Sequence, residues 1–468
     1  MSRIVIVGGG ISGLALAWQL QQRLPTAAIT LLEATTRAGG QVWSQEKQGF
    51  RIELGANGFL DNKPGALRLC RELGISGELI AANPEANKRF LFLHDDLAPL
   101  PGSLSALLAS PLLSLKSKWR LASERYRKRG RETRDESVFD FIARRTTPEV
   151  AELLGDALVT GIFAGDARKL SLAASFPRLF QAEREFGSVT RGLPKLNRLA
   201  RAELTDPGEP LPRKTRLWSF KAGLGALVTA ISARLKTAPL LGVPVRALQL
   251  QTAESQSIWR VQAEGKDAFE ADVVVLTCPA AKQAALVADL DENLADQLLH
   301  IPYASVAVVS VGYRAEEILR PIVGYGYLAP LISRRELLGV QYCSNIWHQR
   351  APDGCVLLRA MCGGWHRPEV MSWDDDKLSI VVRQELRLTL GILGRPRMLS
   401  ITRWDPAIPQ YTLGHLERIH GIETQAGRHP GLFLGGNAYR GISINDCIED
   451  ADYLANRVVD YLRSKPER

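Results

Sequence analysis

The stretch Arg3-Ile4-Val5-Ile6-Val7-Gly8-Gly9-Gly10-Ile11-Ser12-Gly13-Leu14-Ala15 decides how this chain folds. Ile4 to Val7 is a short β-branched apolar run, as a buried parallel strand requires. Gly8 allows the tight turn that follows it. Gly10 lets backbone amides approach a pyrophosphate, and Gly13 lets the next helix lie close on the strand. That helix starts at Ile11 and Ser12 and runs through Leu14 to Leu20 in good helix formers. Its free N–H groups and positive dipole end therefore face the anion. A second strand, Ala28 to Leu32, delivers Glu33 and Ala34, with Glu33 placed 20 residues beyond Gly13. There a carboxylate can accept from both ribose hydroxyls of a dinucleotide.

Choosing among dinucleotides takes the residues beyond the acid. Arg37-Ala38-Gly39-Gly40 supplies a guanidinium and a glycine pair able to clamp a diphosphate from its other side. Far along the chain, Leu432-Phe433-Leu434-Gly435-Gly436-Asn437-Ala438 is an apolar strand running into glycines. Gly441-Ile442-Ser443-Ile444-Asn445-Asp446 then opens a helix reaching to about Leu462, whose N-terminus can face a flavin ring or the diphosphate. Taken alone, this segment reads equally as a turn from strand to helix with no ligand. With these segments the chain resembles the FAD-dependent amine oxidase superfamily, which implies FAD as cofactor. The expected fold is α/β, with a Rossmann-like and discontinuous FAD-binding domain, a mixed-sheet substrate domain and a helical insertion.

Length and composition agree. At 468 residues the chain exceeds one hydrophobic core. FAD elements at both ends place residues 1–62, 214–280 and 425–468 in the cofactor domain. Residues 63–100 and 281–424 form the substrate domain, and 101–213 the helical one. Hydrophobic content of 46% with 23% charged residues describes an ordinary globular protein. No apolar run reaches the ~18 residues of a membrane span, and no signal peptide is read ahead of the glycine loop. The expected location is the cytoplasm. Six scattered cysteines read as reduced, and no cluster of Cys and His indicates a metal. The net charge of +9 is concentrated in residues 116–137, which hold nine Lys or Arg against four acids. Beside the Leu-rich run from Leu104 to Leu115, this reads as a solvated helix face or as a patch resting on the anionic inner face of the cell membrane. No nucleic-acid module accompanies the charge.

Between the two FAD segments, Phe50 to Leu54 reads as a strand leading to Gly55-Ala56-Asn57-Gly58, a loop that lets backbone touch a ring system. Residues 64–81 read as helical, and 101–205 as mostly helical. A Pro- and Gly-bearing break follows from Asp206 to Pro212. Val243 to Leu248, Ile258 to Val261 and Asp272 to Thr277 read as strands. Residues 303–420 read as strands and loops more than helices, forming one wall of a substrate cavity.

Four further stretches resemble one branch of the superfamily, the oxygen-dependent protoporphyrinogen oxidases and their coproporphyrinogen-oxidising relatives. They are Lys88-Arg89-Phe90 through Pro101; Thr160-Gly161-Ile162-Phe163-Ala164-Gly165-Asp166 with Phe176-Pro177; Trp404 through Tyr411 with Gly414-His415; and Gly436 through Gly441 with Asn445-Asp446-Cys447-Ile448. The resemblance runs nearly end to end. It implies FAD-dependent oxidation of protoporphyrinogen IX to protoporphyrin IX, with molecular oxygen reduced to hydrogen peroxide, or of coproporphyrinogen III as the alternative.

By position in these motifs, Arg89 matches the arginine that holds a propionate, although alone it reads as a surface residue before a strand. Asn57 matches the polar residue beside the flavin and the reacting edge of the macrocycle. As an amide it orients rather than acts as a base, and it is also a good turn asparagine. Leu328 and Met361 match apolar residues packed on the tetrapyrrole, Gly161 a glycine lining the cavity, and Val245 backbone beside the adenine. Ala56, Gly58 and Ser443 are small-for-small departures from the pattern. Gln341 stands where relatives are apolar, which favours a more polar tetrapyrrole. Candidate partners are a porphyrinogen, oxygen, a membrane surface, a ferrochelatase-type product acceptor and a second copy of the chain. Competing readings are an amine oxidase, a desaturase, and a flavoprotein that binds a tetrapyrrole without turning it over.

Overall fold

The computed structural model describes residues 1–127, 129–130, 135–204, 215–253 and 256–465. The Asp206 to Pro212 break and part of the basic run lie outside the described residues.

Four strands pair in parallel in the order Leu432–Leu434, Val273–Leu276, Arg3–Val7, Ala28–Leu32. Val7 lies beside both Leu32 and Leu276, and Leu276 beside Leu434. Val273 to Leu276 is buried throughout, which explains its unbroken apolar run. Ile4, Ile6, Val273 and Val275 face a core shared with helix Ile11–Arg23 and helix Ile444–Ser464. Val5, Val7, Val274 and Leu276 face the opposite core, filled by Leu286, Val287, Leu294, Leu298 and Trp259. Gly13 is fixed by this packing. A Cβ there would stand 1.9 Å from the Gly8 carbonyl oxygen, so no other residue allows the helix this close to the strand.

A second sheet of seven strands runs Met398–Pro409, Tyr303–Arg314, Cys355–Gly363, Leu337–Tyr342, Gly326–Leu328, Arg89–Leu93, Asp96–Leu100. All neighbours are antiparallel except Gly326–Leu328 and Arg89–Leu93. One face carries Ala307, Val309, Val311, Tyr327, Val340, Leu358 and Ala360, and packs on Leu378, Val382 and Leu386. Those three leucine and valine side chains belong to helix Asp375–Leu390, capped by Asp374 and closed by Gly391 in the left-handed region. The strand-and-loop reading of 303–420 overlooked this helix. Its buried positions recur every four residues, the spacing of one helix face.

Residues 64–81 also differ from their expected helix. The helix covers only Gly65–Glu72; Gly74 then takes φ +67°, which ends it. Leu79–Ala81 pairs antiparallel with Leu217–Phe220, a partner no local pattern reveals. The stretch from residue 101 is helical, as its pattern predicts, with helices Leu104–Ala109, Leu115–Ala122, Val138–Arg145, Asp156–Phe163, Pro177–Phe186 and Val189–Leu204. A π-helical turn, Ala151–Gly155, runs into the Asp156–Phe163 helix, which stops at Ala164 in the left-handed region.

An aromatic stack ties these parts together. The Tyr411 ring meets Phe163 edge-on and lies 4.1 Å from the parallel ring of His415. Its hydroxyl donates to the Asn437 carbonyl at 2.5 Å and accepts from the Gly441 N–H at 2.8 Å. Burial, helped by Arg418, lowers the His415 pKa to about 3. Its contribution to stability is thus complete above the ordinary value of about 6.5 and is lost as pH falls from there toward 3. Thermal melts across that window should show a smaller acid-side fall in Tm for His415→Phe than for the wild type; superimposable acid slopes would refute this role.

Candidate active site

Parallel pairing brings the carboxyl ends of four strands to one edge, where open α/β sheets bind ligands. Glu33 sits there with Oε2 accepting from the Gly9 N–H at 2.6 Å. Its Oε1 accepts from the Thr35 N–H at 2.9 Å and hydroxyl at 2.7 Å. Backbone flanking Ala34 is tied to a distant segment: the Glu33 N–H donates to Leu240 and the Val243 N–H to Glu33, both at 2.9 Å. Val245 begins the strand just beyond.

The arginine–glycine loop lies against the first glycine loop. Gly39 donates to the Gly9 carbonyl at 2.7 Å and bridges Gly10. A Cβ on Gly10 would meet nothing within 4 Å, and no side chain caps the N-terminus of helix Ile11–Arg23. Open space above unspent helix amides, with a carboxylate at its side, fits the adenosine diphosphate half of FAD. The Arg37 guanidinium turns onto its own loop, donating to the carbonyls of Ala38 and Gly40, and stacks 4.1 Å over Trp43. It thereby stiffens the Gly39-Gly40 turn, while burial lowers its pKa against the pull of Glu33.

The C-terminal segment arrives at the same edge. Gly436 donates to Asp450 at 3.1 Å, and Asn437 gives its carbonyl to Tyr411. Ser443 caps the final helix by accepting from the Asp446 N–H, with Asp446 bonding back to the Ser443 N–H. Ile442 packs toward the helical region and Ile444 into the nucleotide core. Ser12 bonds the Cys447 thiol, joining the two helix starts.

The second sheet meets this edge through its other face. Residues directly opposite in a ladder project to one side. Register places Arg89, Gly326, Gln341 and Arg359 in one lateral row, and Leu91, Leu328, Gly339 and Met361 in the next row of that face. Leu328 is covered from above by helix Asp156–Phe163, where a Cβ on Gly161 would lie 3.0 Å from Leu328 Cδ1. The predicted residues Arg89, Leu328, Gln341 and Met361 thus belong to one face, with Gly161 on the helix that covers it.

Asn57 joins that face from the glycine loop. Its Nδ2 donates to Gln341 Oε1 at 2.7 Å, and its buried Oδ1 has no partner among the described residues. Gly55 must be glycine, because a Cβ would stand 2.0 Å from the Gln41 carbonyl oxygen, to which Ala56 donates at 3.0 Å. Arg89 stands at the open end of the row. It is exposed, its guanidinium 5.2 Å over the Tyr325 ring.

Sequence reading missed Arg359. Its guanidinium is buried, donating to Gln341 Oε1 at 2.9 Å and to the Gly55 carbonyl. Burial pulls its pKa down, opposed by the field of groups that include Glu53. A charged residue centred in the apolar run Val356 to Met361 was the available signal. Also missed was the buried pair Glu53–Arg350 at 3.3 Å, in which Glu53 further accepts from Ser44 and the Leu224 N–H. Burial pushes the Glu53 pKa up against the pull of Arg350.

Known proteins share this architecture. The flavin containing amine oxidoreductase family model matches residues 11–459. Coproporphyrinogen III oxidase of Bacillus subtilis (strain 168) is 28% identical over 475 residues, covering 98% of each chain. Protoporphyrinogen oxidase of Homo sapiens is 33% identical over 485 residues, covering 97% of this chain and 98% of that one. A crystal structure of an Exiguobacterium sp. 255-15 protein superposes with a TM-score of 0.84 at 26% identity, covering 99% of both chains.

Gly13→Ala tests the cradle. The added methyl forces the helix off the loop, so bound dinucleotide per protein, read from visible absorbance, should fall by about tenfold or more; full occupancy would contradict the geometry.

Proposed function

The chain belongs to the flavin containing amine oxidoreductase family, and on that footing we propose that it oxidises protoporphyrinogen IX to protoporphyrin IX with molecular oxygen, coproporphyrinogen III being the alternative substrate. The protein is an FAD-dependent oxidase. Support for the substrate comes from near full-length similarity to enzymes named for both porphyrinogens. The observation that carries the reading is the sheet face itself. It combines an apolar pair, Leu328 and Met361, a guanidinium at its open edge, and a buried amide oxygen without a partner at its inner end. A porphyrinogen has the matching parts: apolar ring faces, peripheral carboxylates and inner N–H donors.

Each residue then has a task. Arg89 binds a propionate, with the two-point fork a guanidinium offers a carboxylate. Leu328, Met361 and the backbone at Gly161 pack on the ring and exclude water. Asn57 Oδ1 accepts a pyrrole N–H and so turns one bridging carbon toward the Gly55 loop. When bound, FAD would accept two electrons in each of the three rounds that this six-electron oxidation needs, each round reducing one oxygen molecule to hydrogen peroxide. Amides do not titrate in this range, so Asn57 orients and does not remove the proton, which passes to solvent. The glycine loops at Gly8 to Gly13 and Gly39-Gly40, with Glu33, hold the adenosine diphosphate portion. The backbone of Val245 lies beside the adenine, and that of Gly55, Ala56 and Gly436 to Ile444 closes around the remainder.

A lipid surface is part of the same reading. No described helix is long and apolar enough to cross a membrane. Leu115 is 83% and Trp119 67% exposed on helix Leu115–Ala122, among Lys116, Lys118 and Arg120. Apolar side chains ringed by cations suit peripheral contact with anionic lipid on the cytoplasmic side. The product, a flat and poorly soluble ring, calls for a ferrochelatase-type acceptor, and a homodimer completes the partners we propose.

Anaerobic mixing of the purified yellow protein with protoporphyrinogen IX or coproporphyrinogen III should bleach the flavin, and air should then raise porphyrin fluorescence. The faster of the two names the substrate, and a flavin that stays oxidised with both defeats the proposal. Arg89→Ala should raise KM by about ten- to a hundredfold; an unchanged KM removes Arg89 from the site. Co-sedimentation with anionic vesicles should weaken as salt is added, and indifference to lipid charge would rule out the membrane contact.

A further inference from the structure

We infer that Arg359 is a positioning residue, which fixes the Asn57 amide in the one orientation that presents an acceptor to the substrate, acting through Gln341. This deepens the porphyrinogen reading and rests on it.

The inference follows from donor and acceptor counting. An amide side chain has one acceptor end and one donor end, and a rotation of its last bond exchanges them. Asn57 and Gln341 lie side by side, so the pair has two self-consistent arrangements. In one, Asn57 donates and Gln341 accepts; in the other the roles reverse. A guanidinium breaks the tie, because it has donors only and cannot be deprotonated in this range.

Arg359 Nη1 lies 2.9 Å from Gln341 Oε1, which commits that oxygen to accepting. Gln341 Oε1 therefore receives Asn57 Nδ2 at 2.7 Å. The other end of the Gln341 amide, Nε2, is engaged with the Tyr325 hydroxyl at 3.3 Å, a group able to accept it. Asn57 Oδ1 is left pointing away from this network, buried and without a partner among the described residues. Reversal of the pair would turn an NH2 group toward a substrate that also brings N–H donors, and two donors in contact repel. Arg359 holds the loop as well as the amide, since Nη2 donates to the Gly55 carbonyl. One guanidinium thus sets both the position of the glycine loop and the polarity of the side chain beside it.

A direct role in carboxylate binding is the obvious rival, and it differs in what it moves. Anchoring changes affinity, whereas orientation changes the rate from the bound state.

The test uses single-turnover flavin bleaching at saturating porphyrinogen, together with equilibrium titration of coproporphyrin III by fluorescence quenching. Flavin content and absorption spectrum are checked in each variant. Arg359→Gln should bleach about ten- to a hundredfold more slowly. Its porphyrin dissociation constant should stay within about threefold, less than the loss of a charge-assisted bond would cause. Arg359→Lys, again donor-only, should recover most of the rate. In an Asn57→Ala background the Arg359→Gln change should cost less than about twofold, because its effect runs through Asn57.

Additive losses in that cycle would overturn the inference, and so would a dissociation constant raised tenfold with the rate intact. Should Arg359→Gln fail to retain flavin, the Gln341 variants decide. Gln341→Glu keeps acceptors toward both neighbours and should bleach about ten times faster than Gln341→Met; equal rates would reject the relay. If wild-type flavin is not bleached by either porphyrinogen, the substrate reading itself has failed and the relay falls with it.

Discussion

Parallel pairing is the constraint from which the rest of this molecule follows. Strands that run the same way cannot be joined by tight turns, so each must be followed by a crossover. Every strand then opens its carboxyl end on the same edge. Val7, Leu32, Leu276 and Leu434 are neighbours there, although Leu276 and Leu434 lie far along the chain from the other two. That edge gathers a glycine turn, the acid Glu33, the start of helix Ile444–Ser464, and Thr277, whose hydroxyl donates to the Gly8 carbonyl at 2.9 Å. The crossovers are long enough to carry whole layers of structure, and the seven-stranded sheet and the helical region are built from them.

The two sheets solve opposite problems. Strand Val273–Leu276 is buried on both faces and needs apolar residues at every position. The seven-stranded sheet is packed on one face by helix Asp375–Leu390, while its other face sets Gln341 and Arg359 beside apolar residues such as Leu328 and Met361. Arg89 on that second face is exposed, whereas charge inside the protein is met by partners. Arg359 and the Glu53–Arg350 pair are all buried, and each cation there is met by carbonyls, an amide oxygen or a carboxylate. A buried ion pair seldom adds net stability, but removing one partner is costly. Such groups hold the geometry of a site more than they stabilise the fold.

What could be read from the sequence divides along these physical lines. The glycine loop, Glu33 and the terminal helix were legible, because tight turns, close approaches and helix starts leave residue types at fixed spacings. Helix Ile444–Ser464 begins where Ser443 and Asp446 form a reciprocal cap, a local signature. Arg359 left one trace, a charge inside an apolar run, but its contacts lie in Gly55 and Gln341 across the fold and not in its flanks. Strand Leu79–Ala81 was mistaken for helix for a similar reason: it exists only through Leu217–Phe220. Motif resemblance singled out Arg89, Leu328, Gln341 and Met361. That they share a face follows from ladder register, which no single segment contains.

The two halves of the cofactor cradle are made at different times. A ribosome that has released the glycine loop and Glu33 has produced a strand and helix with one flank bare. Leu432–Leu434, at the edge of the sheet, and helix Ile444–Ser464, which covers helix Ile11–Arg23, emerge only after all the intervening segments. Until then the apolar residues Leu14, Leu16 and Leu20 have only part of their eventual cover. The cradle for the dinucleotide is therefore complete only once this later helix is in place, and a nascent chain must keep helix Ile11–Arg23 from other surfaces until then.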